Sequence, residues 1–201
     1  MNKKQLITLN VIYAIIGGIY LILKIYPNSG MFSDYNSWNG KSFRNDFFGF
    51  SLNIPKNWHV EKMRFSPELF KESTNSFMIL FIASRYDIEE AINKKLKFPV
   101  ITLEAEKITN YETNLVEYIE RHNADIFRRT SSVIFQPVTE REIGGKHFTS
   151  LNSEIPIIGH NAKREILLSH DKGFALRFTL YWQEDSEKQE LDKILSTLKW
   201  D

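Results

Sequence analysis

The chain contains no cysteine. This absence excludes a disulfide framework, a thiolate metal site, a cysteine nucleophile and the lipid-bearing cysteine of a bacterial lipoprotein. The chain also has almost no net charge, because 26 basic residues offset 25 acidic ones to leave +1 at pH 7. Nothing in this balance favours binding to nucleic acid. We therefore predict that nucleic acid is not a partner.

The motifs of common enzymes are absent as well. The chain has no G-x-S-x-G, no H-E-x-x-H, no phosphate-binding glycine loop and no dinucleotide fingerprint. Its two glycine pairs lie elsewhere, Gly17–Gly18 in an apolar run and Gly144–Gly145 between two strand patterns. We therefore predict no enzyme activity, no cofactor and no metal, and we assign no catalytic residue.

What the chain does have is an apolar amino terminus. Leu6–Leu23 is an apolar run that is interrupted only by Thr8 and Asn10. A helix over this range would be about 27 Å long, close to the roughly 30 Å hydrocarbon core of a bilayer. We predict a transmembrane signal-anchor helix at residues 6–26, which makes the membrane a partner through Leu6–Leu23.

Two other interpretations of this segment stay open. A cleaved signal peptide has a shorter apolar core and a small-x-small cleavage site. Val11–Leu23 has the right length, but the KIYPNSG that follows offers a poor site. The third interpretation is a buried core helix, although such helices are rarely apolar on every side.

The flanking charges predict an orientation. Lys3 and Lys4 precede the apolar run, and the positive-inside rule places such residues in the cytoplasm. We therefore predict a single-pass protein of the inner or cytoplasmic membrane, with a cytoplasmic tail at residues 1–5. A linker at residues 27–42 then leads to a globular domain at residues 43–201, which is periplasmic or extracellular. The oligomeric state is not predicted.

The clearest strand lies in GFSLNIPKNWHV. Phe50, Leu52 and Ile54 alternate with polar residues, which is the period of a half-buried strand. Pro55 ends this strand because it cannot donate to a ladder. Trp58, three residues later, is expected to fold back over the core.

The remaining patterns predict an α+β domain in which one antiparallel sheet is flanked by helices on both faces. The predicted strands are Gly49–Pro55, Phe77–Ser84, Pro99–Ile108, Val133–Ile143, Lys146–Glu154, Ala162–Ser169 and Phe174–Trp182. The last four form two hairpins that turn at Gly144–Gly145 and Asp171–Gly173. The predicted helices are Ser66–Ser73, Ile88–Leu96, Thr113–Arg128 and Ser186–Leu198, and the last is capped by Ser186 and Gln189.

This arrangement resembles the Mog1/PsbP-like superfamily of α/β/α sandwiches over about residues 43–200. The resemblance is carried by the strand that ends in proline and by the closing helix: Phe50, Leu52, Ile54, Pro55, Trp58, Leu191, Ile194, Leu195 and Leu198. It implies a sandwich fold that in bacterial relatives follows a signal or anchor. It also implies a non-catalytic binding or assembly role, with no catalytic residues to carry over. Different members bind different partners: one binds a small GTPase and another binds a photosystem. The resemblance therefore implies no particular partner.

The five histidines are the remaining candidates for metal ligands. His160 and His170 bracket one predicted strand, so they lie about 33 Å apart and cannot share a metal. The other three, His59, His122 and His147, are expected on the surface. Asp171 follows His170 in a tight turn, where an aspartate commonly bonds the turn's own backbone.

The leading hypothesis is a non-catalytic, membrane-anchored envelope protein whose outward-facing domain binds a protein partner or supports an assembly. One alternative is an immunity or toxin-neutralising protein. Another is a hydrolase that uses the carboxylates Glu104, Glu106 and Glu154. A third is an intracellular soluble protein whose apolar amino terminus docks into a partner.

Overall fold

The computed structural model of the chain describes residues 33–68, 70, 77–87, 98–108, 118, 134–157 and 160–201. These residues form two antiparallel sheets and one continuous α-helix. The elements are β1 (Asn36–Trp38), β2 (Ser42–Asn45), β3 (Phe50–Asn53), β4 (His59–Lys62), β5 (Phe77–Ser84), β6 (Val100–Lys107), β7 (Ile134–Phe135), β8 (Thr139–Ile143), β9 (Lys146–Ile157), β10 (His160–Asp171), β11 (Phe174–Trp182), α1 (Asp185–Leu195) and β12 (Lys199–Trp200).

The large sheet has eight strands in the order β4-β5-β6-β11-β10-β9-β7, with β8 paired to β9. Phe178 in its centre lies opposite Leu103 of β6 on one side and Leu167 of β10 on the other. Because directly opposed residues share a face, these three side chains form one apolar row. This row is the floor of the core.

The small sheet has the order β1-β2-β3-β12. The first described strands therefore pair with the last, and Trp200 of β12 lies opposite Phe50 of β3. Phe43, Phe50 and Leu52 point to one side of this sheet and are completely buried. Their alternation with polar residues is what lets a short sheet cover a larger one.

The core lies between this small sheet and the large one. The Phe43 and Phe81 rings are 4.6 Å apart at their centroids, and the Phe50 and Phe178 rings are 6.5 Å apart. Burial of each such side chain contributes roughly 1.5–3 kcal/mol. The aromatic contacts between the sheets therefore contribute substantially to holding the two layers together.

Helix α1 packs on the same side as the small sheet. Leu191, Ile194 and Leu195 are its buried residues, as the sequence predicts, and all three join the core. The predicted cap at Ser186 and Gln189 is wrong. The capping box is formed by Glu184 and Glu187 instead, because the Glu187 carboxylate accepts a hydrogen bond of 3.0 Å from the Glu184 N–H.

The predicted fold class, one antiparallel sheet flanked by helices on both faces, is wrong. In the described residues a second antiparallel sheet, together with α1, covers one face of the large sheet. The cause is the segment before residue 53, which forms β1 and β2 where the sequence predicts mostly linker. The predicted helices at Ile88–Leu96 and Thr113–Arg128 lie outside the described residues, apart from Tyr118.

The predicted membrane anchor at Leu6–Leu23 also lies outside the described residues. In the part of the chain that the structure describes, no helix is long and apolar enough to cross a membrane.

Several strand predictions are confirmed. Phe77–Ser84 and Phe174–Trp182 have the predicted bounds, and the hairpin turns lie at the predicted glycines. Trp58 is also where the sequence places it, 6% exposed within the core. The backbone N–H of Trp58 donates to the Pro55 carbonyl over 3.0 Å, so the chain forms a tight turn directly after the proline.

Candidate functional site

The small sheet has two ends that differ in chemistry. At one end, which we call the linker end, the described chain begins and Tyr35 accepts a backbone hydrogen bond from Asp46. At the other end, which we call the groove end, the turn between β1 and β2 meets the end of β3. The candidate site is the depression at the groove end.

We call this depression the lysine groove. Its volume is about 280 Å³, and three stretches of chain line it: Lys41, Asn53, Ile54, Pro55, Lys56, Lys193, Ile194 and Thr197. Ile54 and Ile194 are almost wholly buried, whereas Pro55 and the three lysines are exposed. The groove therefore combines an apolar lining with a cationic rim.

The turn that carries Lys41 is fixed by hydrogen bonds. The Asn39 side chain accepts from the backbone N–H groups of Lys41 and Ser42, over 3.0 and 2.8 Å. Gly40 has φ +84°, a conformation that glycine adopts without strain. The Lys41 carbonyl then accepts a 2.9 Å hydrogen bond from the Ile54 N–H, which joins this turn to the end of β3.

Thr197 joins α1 to the same place. Its hydroxyl oxygen accepts a 2.9 Å hydrogen bond from the Asn53 N–H, and the hydroxyl donates to the Ile194 carbonyl over 2.7 Å. The last turn of the helix is therefore fastened to the end of β3. This contact places Lys193 beside the other two lysines of the groove.

The three groove lysines have no ion-pair partner among the described residues. Within the described ranges, no salt bridge includes Lys41, Lys56 or Lys193, and no carboxylate lines the groove. Lys193 lies in the last turn of α1, where the helix dipole favours a cation but does not neutralise it. The groove is therefore a local concentration of positive charge in a nearly neutral chain.

The linker end also carries basic residues, and several of these have partners. Lys146 donates to Asp171 over 2.7 Å, and Arg44 donates to Asp201 over 2.6 Å. Lys172 donates to the Phe47 carbonyl. A larger depression, about 600 Å³, lies among these residues. The ammonium groups of its two lysines, Lys146 and Lys172, already have hydrogen-bond partners within the fold. The Asp171 carboxylate accepts the hydrogen bond from Lys146, a lysine of the neighbouring strand.

A buried network ties α1 to the large sheet. The Glu165 carboxylate, 5% exposed, accepts from Arg141 over 3.1 Å and is 3.1 Å from the Lys188 ammonium. Asp192 accepts from the same two cations over 2.7 and 2.6 Å. Burial opposes ionisation of Asp192, but these hydrogen bonds prevail and lower its pKa below the ordinary value.

The three carboxylates weighed as hydrolase candidates do not meet at one site. Glu104 lies opposite Arg177 and accepts from its guanidinium over 3.0 Å. Glu106 accepts from the Tyr118 hydroxyl. Glu154 lies opposite Lys163, on the other face of the sheet from Glu104, because successive strand residues alternate in direction.

The Arg177 guanidinium is buried beside the Glu104 carboxylate. Burial of the Arg177 guanidinium opposes its charge, but the neighbouring Glu104 carboxylate outweighs this and raises the pKa of Arg177. A carboxylate paired in this way is a structural partner of the arginine.

The described histidines are separated. His160 and His170 lie within β10, near its opposite ends, because this strand is longer than the predicted Ala162–Ser169. His59 and His147 are exposed, and His122 lies outside the described residues. Within the described ranges, no three His, Cys, Asp or Glu side chains lie close enough together to hold a metal ion.

Sequence reasoning does not find the lysine groove. Its three lysines lie in separate elements, and each alone has the pattern of an ordinary solvated residue. In the sequence, Ile54 and Pro55 mark only the end of a strand. The absence of a nearby carboxylate, which gives the groove its character, depends on which segments the fold brings together.

Comparisons with known proteins identify the fold. No protein-family model matches the chain, and no curated protein matches it in sequence. The solution structure of cyanobacterial PsbP from Synechocystis sp. PCC 6803 matches with a TM-score of 0.51 and 10% identity, over 89% of this chain and 99% of that one.

Two further solved structures are more distant. A protein from Bacteroides thetaiotaomicron matches with a TM-score of 0.48 and 13% identity, over 82% of this chain and 49% of that one. LpqN of Mycobacterium tuberculosis, described as involved in cell envelope biogenesis, has a TM-score of 0.41 and 9% identity, over 89% of this chain and 94% of that one. The match to cyanobacterial PsbP confirms the PsbP-like fold predicted from the sequence, and at 10% identity the likeness concerns the fold alone.

Proposed function

We propose that this chain, a PsbP-like domain, is a non-catalytic, membrane-anchored envelope protein that binds a protein partner through the lysine groove. In this proposal Leu6–Leu23 is the anchor, the amino terminus is cytoplasmic and the domain faces the periplasm or the cell exterior. The PsbP-like fold supports the binding or assembly role that the sequence resemblance implies.

One observation carries the proposal. Several charged side chains elsewhere in the described fold have partners, as Glu104 has Arg177 and Lys146 has Asp171. The groove lysines have none among the described residues. Binding a partner gains most from charges that are not already neutralised, so the groove is the surface best suited to it.

The predicted anchor would hold this domain near the bilayer. Residues 24–32 separate the apolar run from the first described residue, and about nine residues span at most about 30 Å when fully extended. The linker end is attached to this segment. A partner would therefore be met within a short distance of the membrane.

A topology experiment tests the proposal. Reporter fusions placed after residue 5 and after residue 201 should give a cytoplasmic signal for the first and an external signal for the second. Protease added to intact spheroplasts should remove the domain. Recovery of the full chain in the soluble fraction without detergent would contradict the anchor.

A further inference from the structure

We propose that the lysine groove binds a segment of a partner protein in which carboxylates flank an apolar side chain. This inference rests on the proposed function, because it names the chemistry of the partner that the anchored domain would bind. The carboxylates would pair with Lys41, Lys56 and Lys193, and the apolar side chain would lie against Pro55.

Charge complementarity is the first argument. Three exposed lysines line one depression, and their ammonium groups have no carboxylate partner among the described residues. Like charges held close together repel one another. An incoming segment with two or more carboxylates relieves that repulsion and gains attraction, whereas a neutral or basic segment does neither.

The size of the groove is the second argument. Its volume, about 280 Å³, is at or below the lower limit of small-molecule sites, which are about 300–1,000 Å³ and enclose most of their ligand. The exposure of Pro55 and the lysines shows that the depression is open. One or two side chains of a protein segment fit such a depression better than a free metabolite.

The position of the groove is the third argument, and it favours a protein over a lipid surface. The groove lies at the opposite end of the small sheet from the linker end. Strand β2, with four residues, separates these ends by about 13 Å. In a domain attached to the bilayer through its linker end, the groove therefore lies farther from the point of attachment than the linker end does.

The backbone around the groove indicates recognition by side chains. The Asn53 N–H donates to Thr197 and the Ile54 N–H donates to Lys41, so these groups are not free to extend the sheet with a partner strand. Specificity would then depend on the spacing of carboxylates around an apolar residue.

The expected affinity is modest. A stable interface buries about 800 Å² on each partner, more than this groove supplies, so the segment alone should bind in the micromolar range or more weakly. Three charge pairs at an exposed site should make that binding sensitive to salt, because the Debye length is only about 10 Å at 0.1 M.

The experiment uses the full chain in nonionic detergent and two fluorescent peptides. One peptide alternates glutamate with leucine, and the other replaces each glutamate by glutamine. We expect the acidic peptide to bind at least about tenfold more tightly at low salt and to lose most of this preference at high salt.

Two double variants match each other in charge. Lys41→Glu with Lys193→Glu should abolish the preference, while Lys107→Glu with Lys172→Glu, exposed lysines at the linker end, should retain it. Lys41→Gln with Lys193→Gln should give an intermediate loss, and unfolding curves for every variant check that each remains folded.

The inference is overturned if the two peptides bind equally or if both charge reversals have the same effect. It is also overturned if vesicles with phosphatidylglycerol compete with the acidic peptide through the groove lysines more strongly than glutamate-rich peptide does, which would make a lipid the ligand. Failure of the topology experiment would remove the anchored function while leaving the peptide result intact, so the two failures are distinguishable.

Discussion

Both ends of the small sheet carry basic residues, but the two ends differ in whether these residues form ion pairs within the described part of the chain. At the linker end Lys146 is paired with Asp171, and Arg44 is paired with Asp46 and Asp201. At the groove end the three lysines have no such partner in the described part of the chain. A lysine with a fixed partner contributes to the fold, whereas one without a partner is available for binding.

The same contrast extends into the domain. The charges between α1 and the large sheet form a closed network of two acids and two bases. Those on the opposite face include the buried pair of Glu104 and Arg177. Removal of a paired charge should therefore lower stability, and removal of a groove charge should lower binding without affecting stability.

The largest effect should come from Glu165→Gln. This change removes the charge that faces Arg141 and Lys188, and breaking a buried pair costs roughly 3–5 kcal/mol. Because Asp192 still faces both cations, we expect a loss of about 2–3 kcal/mol. Urea unfolding of the full chain in nonionic detergent, followed by tryptophan fluorescence, measures it.

The matched control for this change is Glu142→Gln, on the exposed side of β8. It should change stability by no more than about 0.5 kcal/mol. Equal effects of the two substitutions would mean that the buried network is not what holds α1 on the sheet.

The next effect should come from Gly144→Ala at the linker end. A Cβ at this position would lie 2.5 Å from the Leu198 carbonyl oxygen, and the residue has φ +60°. A Cβ at Gly145 would meet nothing within 4 Å, although φ is +82° there. We expect Gly144→Ala to destabilise the domain by about 1–3 kcal/mol and Gly145→Ala by clearly less, measured as shifts in the urea midpoint.

If Gly145→Ala costs as much as Gly144→Ala, backbone strain alone explains both losses. The close contact with the segment after α1 would then have no role of its own.

A smaller effect should follow pH. The pKa of Asp192 is lowered in the folded state, so its contacts with Lys188 and Arg141 contribute stability above the unfolded value of about 3.9. That contribution is lost as the pH falls through the folded pKa. Asp192→Asn should lower stability at neutral pH and give a shallower decline below about pH 4.

Urea midpoints measured across that pH range for both proteins provide the check. Parallel curves would show that Asp192 does not contribute to the acid dependence.

The smallest effect on stability should come from the groove itself. Lys41→Gln, Lys56→Gln and Lys193→Gln each remove an exposed charge with no ion-pair partner among the described residues. We expect changes within about 0.5 kcal/mol, with a slight gain where repulsion between lysines is relieved. A loss comparable to that of Glu165→Gln would show that the groove lysines are structural.

The sequence predicts the central strands well because their patterns are strong. Every second residue of Phe174–Trp182 must be buried, and the structure buries Phe174, Leu176, Phe178, Leu180 and Trp182. It misses β1, β2 and β12 because strands of two to four residues are too short for a period of two to be distinguished from a linker.

The groove could not be predicted for a different reason. Thr197 and Asn53 meet only because β12 pairs with β3 across nearly the whole domain. Pairing between such distant segments is decided by how the layers pack. The local sequence pattern does not predict this pairing. The proximity of Lys41 to Lys193 is therefore seen only in the folded chain.

We propose that the lysine groove contacts an acidic protein segment while the predicted anchor holds the chain in a membrane. A photo-crosslinking amino acid at position 56 of the full chain, activated in intact cells, tests it directly, with position 107 at the linker end as the control. We expect position 56 to give a crosslinked peptide from another protein with carboxylates on both sides of an apolar residue, and position 107 to give no such product. Crosslinks from position 56 only to lipid, or to peptides without flanking carboxylates, would contradict the account.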